Sequence, residues 1–441
     1  MRTFLIIWLG QFASLLGSEM TNFAITIWAW EVTGQATPLS FILVATQIPR
    51  LLISPLAGIL VDRFNRKTLM LLGDSVAGIT SIVILALFLS DRLQIWHLYI
   101  SGAINGLFGY LQGLAHSASM SLIVAKKHYA RASAFESLQL SGSYVFAPAI
   151  AGAIYGITGL GGILTLDLAT FGVAILTLSA VSIPQPPLTK ETSRISSEFT
   201  LQQFTFGIRY LSKYPTLVAL LSFFLINNFI DSLSFSILPA MVLARSNSNT
   251  TILGTLFSFF GIGGLLGGVT LSLWGGPKRR IHGILIGSAI WKVGLMVLAL
   301  AQQTSVKIGT ALMSGFCSPF PNSCSQAIWR AKVEPEVQGR VFSTRFLLTQ
   351  LATPLGGAIA GPLADYVFEP AMQPGGSLAQ LLGEVFGVGI GAGMALQTTL
   401  FASVGLLIAL GGYRVKYLSK LETLLTDHDV GVSEPSAKKI T

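Results

Sequence analysis

Twelve long apolar segments, separated by polar stretches, leave this chain few ways to fold. They cover roughly residues 4–30, 38–61, 68–90, 96–124, 132–156, 160–182, 216–240, 251–274, 283–301, 306–328, 341–365 and 388–411. Each is about long enough to cross a hydrocarbon layer of ~30 Å as a helix. In lipid the backbone polar groups must be satisfied within the segment, so such runs become helices. Composition agrees: 52% of the 441 residues are hydrophobic and 11% are charged, against about 25% charged in soluble domains. The expected fold class is all-α integral membrane, with twelve transmembrane helices. The first run, from Phe4, is too long for a cleavable signal and lacks a small-residue cleavage site.

The net charge of +9 would raise the question of nucleic acid in a soluble protein. Here the basic residues flank the apolar segments. Of the 28 Lys and Arg, 23 fall on one side, three (Arg92, Arg245, Lys307) on the other, and Arg50 and Lys292 lie within segments. Cytoplasmic loops carry the excess of Lys and Arg. Both termini are therefore expected in the cytoplasm of a multi-pass plasma-membrane protein, with lipid rather than nucleic acid around it.

The chain also repeats. Arg131 and Arg340 each open a segment, and the same offset of 209 carries Ala149-Ile-Ala-Gly152 onto Ala358-Ile-Ala-Gly361. At an offset of 213, Arg66-Lys67 meets Arg279-Arg280. Three features in register predict two pseudo-symmetric six-helix bundles, residues 1–182 and 216–411. Between them, residues 183–215 form a cytoplasmic linker. It starts with Pro184-Gln-Pro-Pro187, which excludes continuous helix, and carries Thr200-x-x-Gln203 as a capping box. Leu201, Phe204, Ile208 and Leu211 then share one face of a short amphipathic helix, lying on the membrane surface or packed under the bundle. Residues 412–441 read as a polar, mobile cytoplasmic tail. The stretch from Val367 to Val385, with Pro370, Pro374, Gly375 and Gly376, either caps the outer mouth or is an inert loop.

Charge inside an apolar segment is costly, so it faces a cavity or a partner. Glu19 and Asp231 sit in the middle of the first and seventh segments, 212 residues apart. They are expected as pseudo-symmetric carboxylates on a central cavity, at least one of them exchanging a proton; the alternative is that each only hydrogen-bonds neighbours such as Asn22, Asn227 or Asn228. Asp167 and Lys292 read as structural ion partners or snorkelling groups. Arg50, near Pro49 and Pro55, pairs with an acid or faces the cavity; the residues do not decide which.

Between the second and third segments lies Gly58-Ile-Leu-Val-Asp62-Arg63-Phe-Asn65-Arg66-Lys67, a charged membrane-surface turn. It resembles the Gly-x-Leu-x-Asp-Arg-x-Gly-Arg-Lys loop of the major facilitator superfamily. Asn65 replaces the family's usual Gly, and Asn tolerates a left-handed backbone. The resemblance implies a secondary transporter that rocks two halves about a midplane site. Glu136 and Arg345 occupy matching positions with opposite charge. The expected bridges run from Arg345 to the Asp62 turn and from Glu136 to Lys278, Arg279 and Arg280, holding the cytoplasmic gate shut. Ser143-x-x-x-Ala147-Pro148-x-x-Ala151-Gly152 is similar to the superfamily's antiporter motif, with three glycines replaced. The fourth segment lacks the arginine of many drug–proton antiporters and offers Asn105, Gln112 and His116 instead. The Val333–Phe342, Phe368–Gly376 and Trp274–Arg280 stretches look like the macrolide-efflux branch of those antiporters. That likeness covers nearly all of residues 1–425 and implies export of bulky amphiphilic compounds, with 27 Phe and 7 Trp available to line an apolar cavity.

The remaining chemistry is sparse. No Gly-Lys-Ser phosphate loop points to ATP drive, and five scattered histidines argue against a metal centre. Cys317 and Cys324 read as packing residues rather than a disulfide or metal pair. Membrane-embedded catalysis lacks a clustered His, Asp or Ser set. The expectation is a monomeric proton-coupled exporter without cofactor. A transporter of the same fold for a specific metabolite, siderophore or lysolipid is the alternative.

Overall fold

The structure, a computed structural model, describes residues 2–181, 183 and 201–426. The chain begins with α1 (Arg2–Thr33), α2 (Ala36–Arg63), α3 (Arg66–Leu89) and α4 (Ile95–Ile123). The helical stretch Tyr129–Ser179 is broken at Gly159, φ 61° and ψ −166°, a backbone region essentially closed to other residues. Its arms are α5 (129–158) and α6 (160–179). The second half contains α7 (Leu201–Ser212), α8 (Pro215–Phe235), α9 (Leu238–Arg245), α10 (Thr250–Trp274) and α11 (Arg280–Leu300). Next come α12 (Thr304–Cys317), α13 (Pro319–Lys332) and α14 (Gln338–Leu363), then a π turn at Ala364–Phe368. It ends with α15 (Glu369–Met372), α16 (Ala379–Phe386), α17 (Ala392–Gly411), α18 (Lys416–Ser419) and α19 (Leu421–Leu424).

Among the described residues, nine helical stretches are long and apolar enough to cross a membrane. One of them, 49 residues long, doubles back at Gly159. The 29-residue α4, and α12 with α13 divided before Pro319, bring the crossings to twelve.

Helix ends leave N–H groups without partners, and short polar side chains satisfy them. Asn65 accepts from Thr68 N at 3.2 Å, and Asn249 from Ile252 N at 3.0 Å. At φ −61° and ψ 119°, Asn65 serves as this cap and not as a left-handed residue. Three helices whose own caps offer no side-chain bond are closed by carboxylates from elsewhere. Asp365 binds the N–H groups of Ala36 and Thr37 at the start of α2, at 2.8 and 2.7 Å. Glu369 binds Gly391 and Met394 at α17, and Glu422 binds Arg280 and Ile281 at α11. Negative charge at a helix N-terminus is favoured by the helix dipole.

The apolar core shows how the halves meet. One large cluster draws on both, from Met20, Ile27, Leu39, Ala147 and Leu164 to Leu233, Met241, Leu256 and Ala395. It lies toward the side opposite the basic loops. On the basic side the core divides into three clusters, two built from the first half and one from the second. The bundles are thus packed together at one side and parted at the other.

Several segments that the sequence left open or read as mobile have defined places. Residues 412–426 dock instead of hanging free: Leu418 and Leu421 are buried against the second half, and Lys332 Nζ donates to the carbonyls of Glu422 and Leu425. Helix α7 packs under that half, with Arg340 over the Phe206 ring at 5.4 Å and Leu211 buried beside Leu217. The Pro184–Pro187 stretch, Thr200 of the capping box and the tail beyond 426 lie outside the described residues. Across 367–385 the chain is tied to the core through buried Met372, and just beyond it through the Phe386 carbonyl bound to Arg245 at 3.0 Å. Cys317 and Cys324 are free thiols, both buried.

Candidate functional site

The interior of α8 must pass a carboxylate through lipid depth, and the fold surrounds it with donors. Asp231 accepts from Asn227 Nδ2 at 2.7 Å and Trp291 Nε1 at 2.8 Å, and pairs with the ammonium of Lys292. Lys292 is fully buried. Of the roles expected for it, ion partner is the one it takes. Asn228 donates to the Thr349 carbonyl at 3.2 Å, tying α8 to α14. These groups border a cavity of about 270 Å³ lined by Asn227, Asn228, Asp231, Trp291 and Asn322 from one half and Leu43 from the other.

The matching position in the first half is built differently. Glu19 has Asn22 beside its carboxylate, and Tyr144, 59% exposed, lies close enough to feel Glu19 and Arg50 together. Arg50 stacks on the Tyr110 ring at 5.3 Å. One helical turn beyond each carboxylate stands a phenylalanine, Phe23 and Phe235, again 212 residues apart. Both meet Phe257, at 6.2 and 6.0 Å, and Phe260 and Trp291 extend the cluster. The two acids therefore lie next to one aromatic cluster that crosses the seam, an arrangement suited to a molecule with both apolar and charged parts.

The surface turn works inside its own half. Arg66 donates to the Ala118 carbonyl at 2.7 Å, and Lys67 to the carbonyls of Ser179 and Val181 at 3.0 and 2.6 Å. Lys67 thus sits on carbonyls at the C-terminus of α6, where the helix dipole favours a cation, while Arg66 reaches a carbonyl inside α4, five residues before its end. Asp62 lies 3.9 Å from Arg66, Arg63 is exposed, and Gly58 faces open space. Neither expected gate bridge is made. Arg345 bonds Ser325 and Gln326 at 3.3 Å and stacks on Trp329 at 5.0 Å, all within the second half. Glu136 is half-buried, and Lys278, Arg279 and Arg280 are exposed. The physical reason is that the basic side is parted, which holds these partners in separate halves.

The antiporter-like motif lies on the packed seam. A Cβ on Gly254 would meet the Pro148 carbonyl at 2.3 Å, and one on Gly152 the Thr250 carbonyl at 2.6 Å. Ala147 and Ala151 are buried there too. Thr250 Oγ1 donates to the Gly152 carbonyl at 2.9 Å, and Ser258 Oγ to that of Val145 at 2.7 Å.

One buried acid escaped the sequence reading. Asp74 in α3 is 1% exposed and accepts from Gln11 at 2.8 Å and Gln112 at 2.6 Å. The rule that singled out Glu19, an acid within an apolar run, applies to it equally. Asp167 takes a hydrogen bond from Ser81 at 2.9 Å, a hydroxyl where an ion partner was expected. Among the described residues no group of three or more His, Cys, Asp or Glu is placed to hold a metal ion.

Comparison with known proteins agrees with this architecture. The chain is 26% identical over 368 residues to macrolide efflux protein A of Streptococcus pyogenes, covering 82% of this chain and 90% of that one. It is 23% identical to the multidrug efflux pump Tap of Mycolicibacterium fortuitum, covering 80% and 88%. A solved bacterial homologue of the human lysosomal transporter Spinster, inward-facing and unoccupied, superposes with a TM-score of 0.65 at 15% identity, over 95% of this chain and 97% of that one. A bacterial homologue of the iron transporter ferroportin, also inward-facing, gives 0.65 at 15% identity, over 95% and 99%. The family model of the Major Facilitator Superfamily matches residues 7–357, and the chain, a multi-pass membrane protein, belongs to that superfamily of transporters.

Proposed function

We propose that this transporter is a proton-coupled exporter of hydrophobic or amphiphilic compounds, macrolide-like drugs among them. It works as a monomer in the bacterial plasma membrane with both termini in the cytoplasm. The observation that carries the reading is the pairing of Glu19 and Asp231 around one seam-crossing aromatic cluster. The efflux relatives support the direction, and the excess of Lys and Arg supports the orientation. On that orientation the cavity is open inward, the state that loads an export substrate.

The two carboxylates divide the work. Asp231 already holds a cation in Lys292, so its charge is compensated within the protein. Glu19 has an amide beside it and is the group that exchanges a proton. Facing outward it takes one up and the substrate leaves; facing inward it gives the proton up, and the negative site receives the next substrate. Coupling then needs no nucleotide and no cofactor, only the proton gradient.

Efflux of a fluorescent hydrophobic dye, measured with the proton gradient intact or collapsed, tests this. Glu19→Gln should insert normally and lose gradient-dependent efflux, falling to the level of cells without the protein. Asp231→Asn should retain a gradient response while weakening efflux. Unchanged, gradient-dependent pumping by Glu19→Gln would remove Glu19 from the mechanism.

A further inference from the structure

The seam on the side opposite the basic loops is held by hydrogen bonds between the halves. Trp30 Nε1 reaches Ser248 Oγ at 3.3 Å, Thr250 and Ser258 reach backbone carbonyls of α5, and Asp365 reaches the start of α2. Of the side chains bonded across this seam among the described residues, Asp365 is the one with a formal charge. Its position is set by the helix before it. Gly357 and Gly361, four residues apart, share a face of α14, and Asp365 lies four residues further on, in the π turn that follows. The first two let α14 lie directly on α2: a Cβ on Gly361 would fall 2.0 Å from Ser40 Oγ, and one on Gly357 3.2 Å from Val44. The π turn Ala364–Phe368 follows at once, a widened turn of a kind frequent at functional positions. It leaves the Asp365 carboxylate at the N-terminal end of α2, with one oxygen on Ala36 N and the other on Thr37 N. Gln35 supplies no cap of its own to α2. The second half therefore provides what the first half's helix lacks.

We propose that Asp365 is the latch of this side: by capping α2 from the opposite half it holds the seam shut, and its release is required before the cavity opens there. It is a positioning residue, touching neither substrate nor cavity. The proposal rests on the alternating-access reading above. When the halves part on this side, both N–H groups of α2 and the carboxylate must find water together. That makes the bond a two-state element, made in one conformation and broken in the other.

The test reads the sidedness of the cavity. Leu43, which lines it, becomes the single cysteine in full-length protein whose Cys317 and Cys324 are replaced by Ser. A membrane-impermeant maleimide is applied to intact cells and to inverted vesicles. Asp365→Asn and Ala36→Pro should each raise labelling from outside by about five-fold or more, with slower labelling from within. Proline at the first helical position keeps helix geometry and deletes only the N–H donor, so Ala36→Pro weakens the latch from its other partner by removing one of its two bonds. Asp365→Glu, which keeps the carboxylate, should stay within about two-fold of the parent. External labelling that is unchanged in both Asp365→Asn and Ala36→Pro, while the parent reacts from both sides, overturns the latch and leaves alternating access standing. A rise in Asp365→Asn alone shows that the carboxylate does not act through α2 and also overturns it. No external labelling in any variant overturns both readings.

Discussion

At the scale of single residues, the molecule places its charges where each has an answer. Lys292 has no exposed surface, and the ion pair with Asp231 offsets a desolvation penalty that a lone ammonium could not bear. Removing one partner of such a pair costs about 3–5 kcal/mol, whereas replacing both costs far less. Lys292→Met should therefore lower the thermal unfolding midpoint in detergent markedly, and Asp231→Asn added to it should recover most of the loss. If the double variant is as unstable as the single one, the pair is not what keeps Lys292 in the core. Glu19 and Asp231 stand out in the sequence because an acid inside an apolar run is rare and the 212-residue offset aligns them, but of the two only Asp231 lines the cavity. Their difference was not legible. The cation that answers Asp231 comes from α11, 61 positions along the chain, and such a distance carries no sequence pattern. Asp74 illustrates the same limit: Gln112, like Asn105 and His116, stands out as a polar residue in the segment that lacks an arginine, but its bond to Asp74 exists only once α3 and α4 pack together.

At the scale of elements, the ends of helices decide more than their middles. The twelve crossings follow from hydropathy, because in lipid an apolar run of that length has one stable form. The caps do not follow, since Arg66 and Lys67 bind backbone carbonyls at 118, 179 and 181, and a carbonyl has no sequence identity. The tail shows this most plainly. Residues 412–426 are polar on average, yet Leu418 and Leu421 find a surface assembled from α8, α11 and α13. Glu422 then closes α11, and Lys332 grips the backbone around it. Glu422→Ala should remove the cap from α11 at a cost of about 1 kcal/mol. Amide exchange at Arg280 and Ile281 should quicken, and proteolysis after residue 412 should become easier. Exchange at those two amides as slow as in the parent would show that α11 is capped by something else.

For the molecule as a whole, the decisive asymmetry is that the halves share a core on one side and keep separate cores on the other. Repeats in the sequence announced two halves, and basic loops announced a face for each end. Which face is parted was not announced, because both arrangements bury the same helices and differ only in which ends touch. The gate residues follow from this. Arg345 and Asp62 lie in separate halves here, and they come within reach only if the bundles rock until the basic side closes and the packed seam opens. Val44 and Gly357 face each other across that seam, with a Cβ on Gly357 3.2 Å from a Val44 methyl, within the reach of a disulfide. Val44→Cys with Gly357→Cys, in a chain whose Cys317 and Cys324 are Ser, should cross-link on mild oxidation and pin the seam. Dye efflux should then fall to background and return on reduction, while a cysteine pair at positions 62 and 345 should cross-link only in protein free to cycle. Full pumping by the oxidised Val44–Gly357 variant, with the cross-link verified on a gel, would mean that transport proceeds without parting this seam, and the rocking of two rigid halves would have to be abandoned.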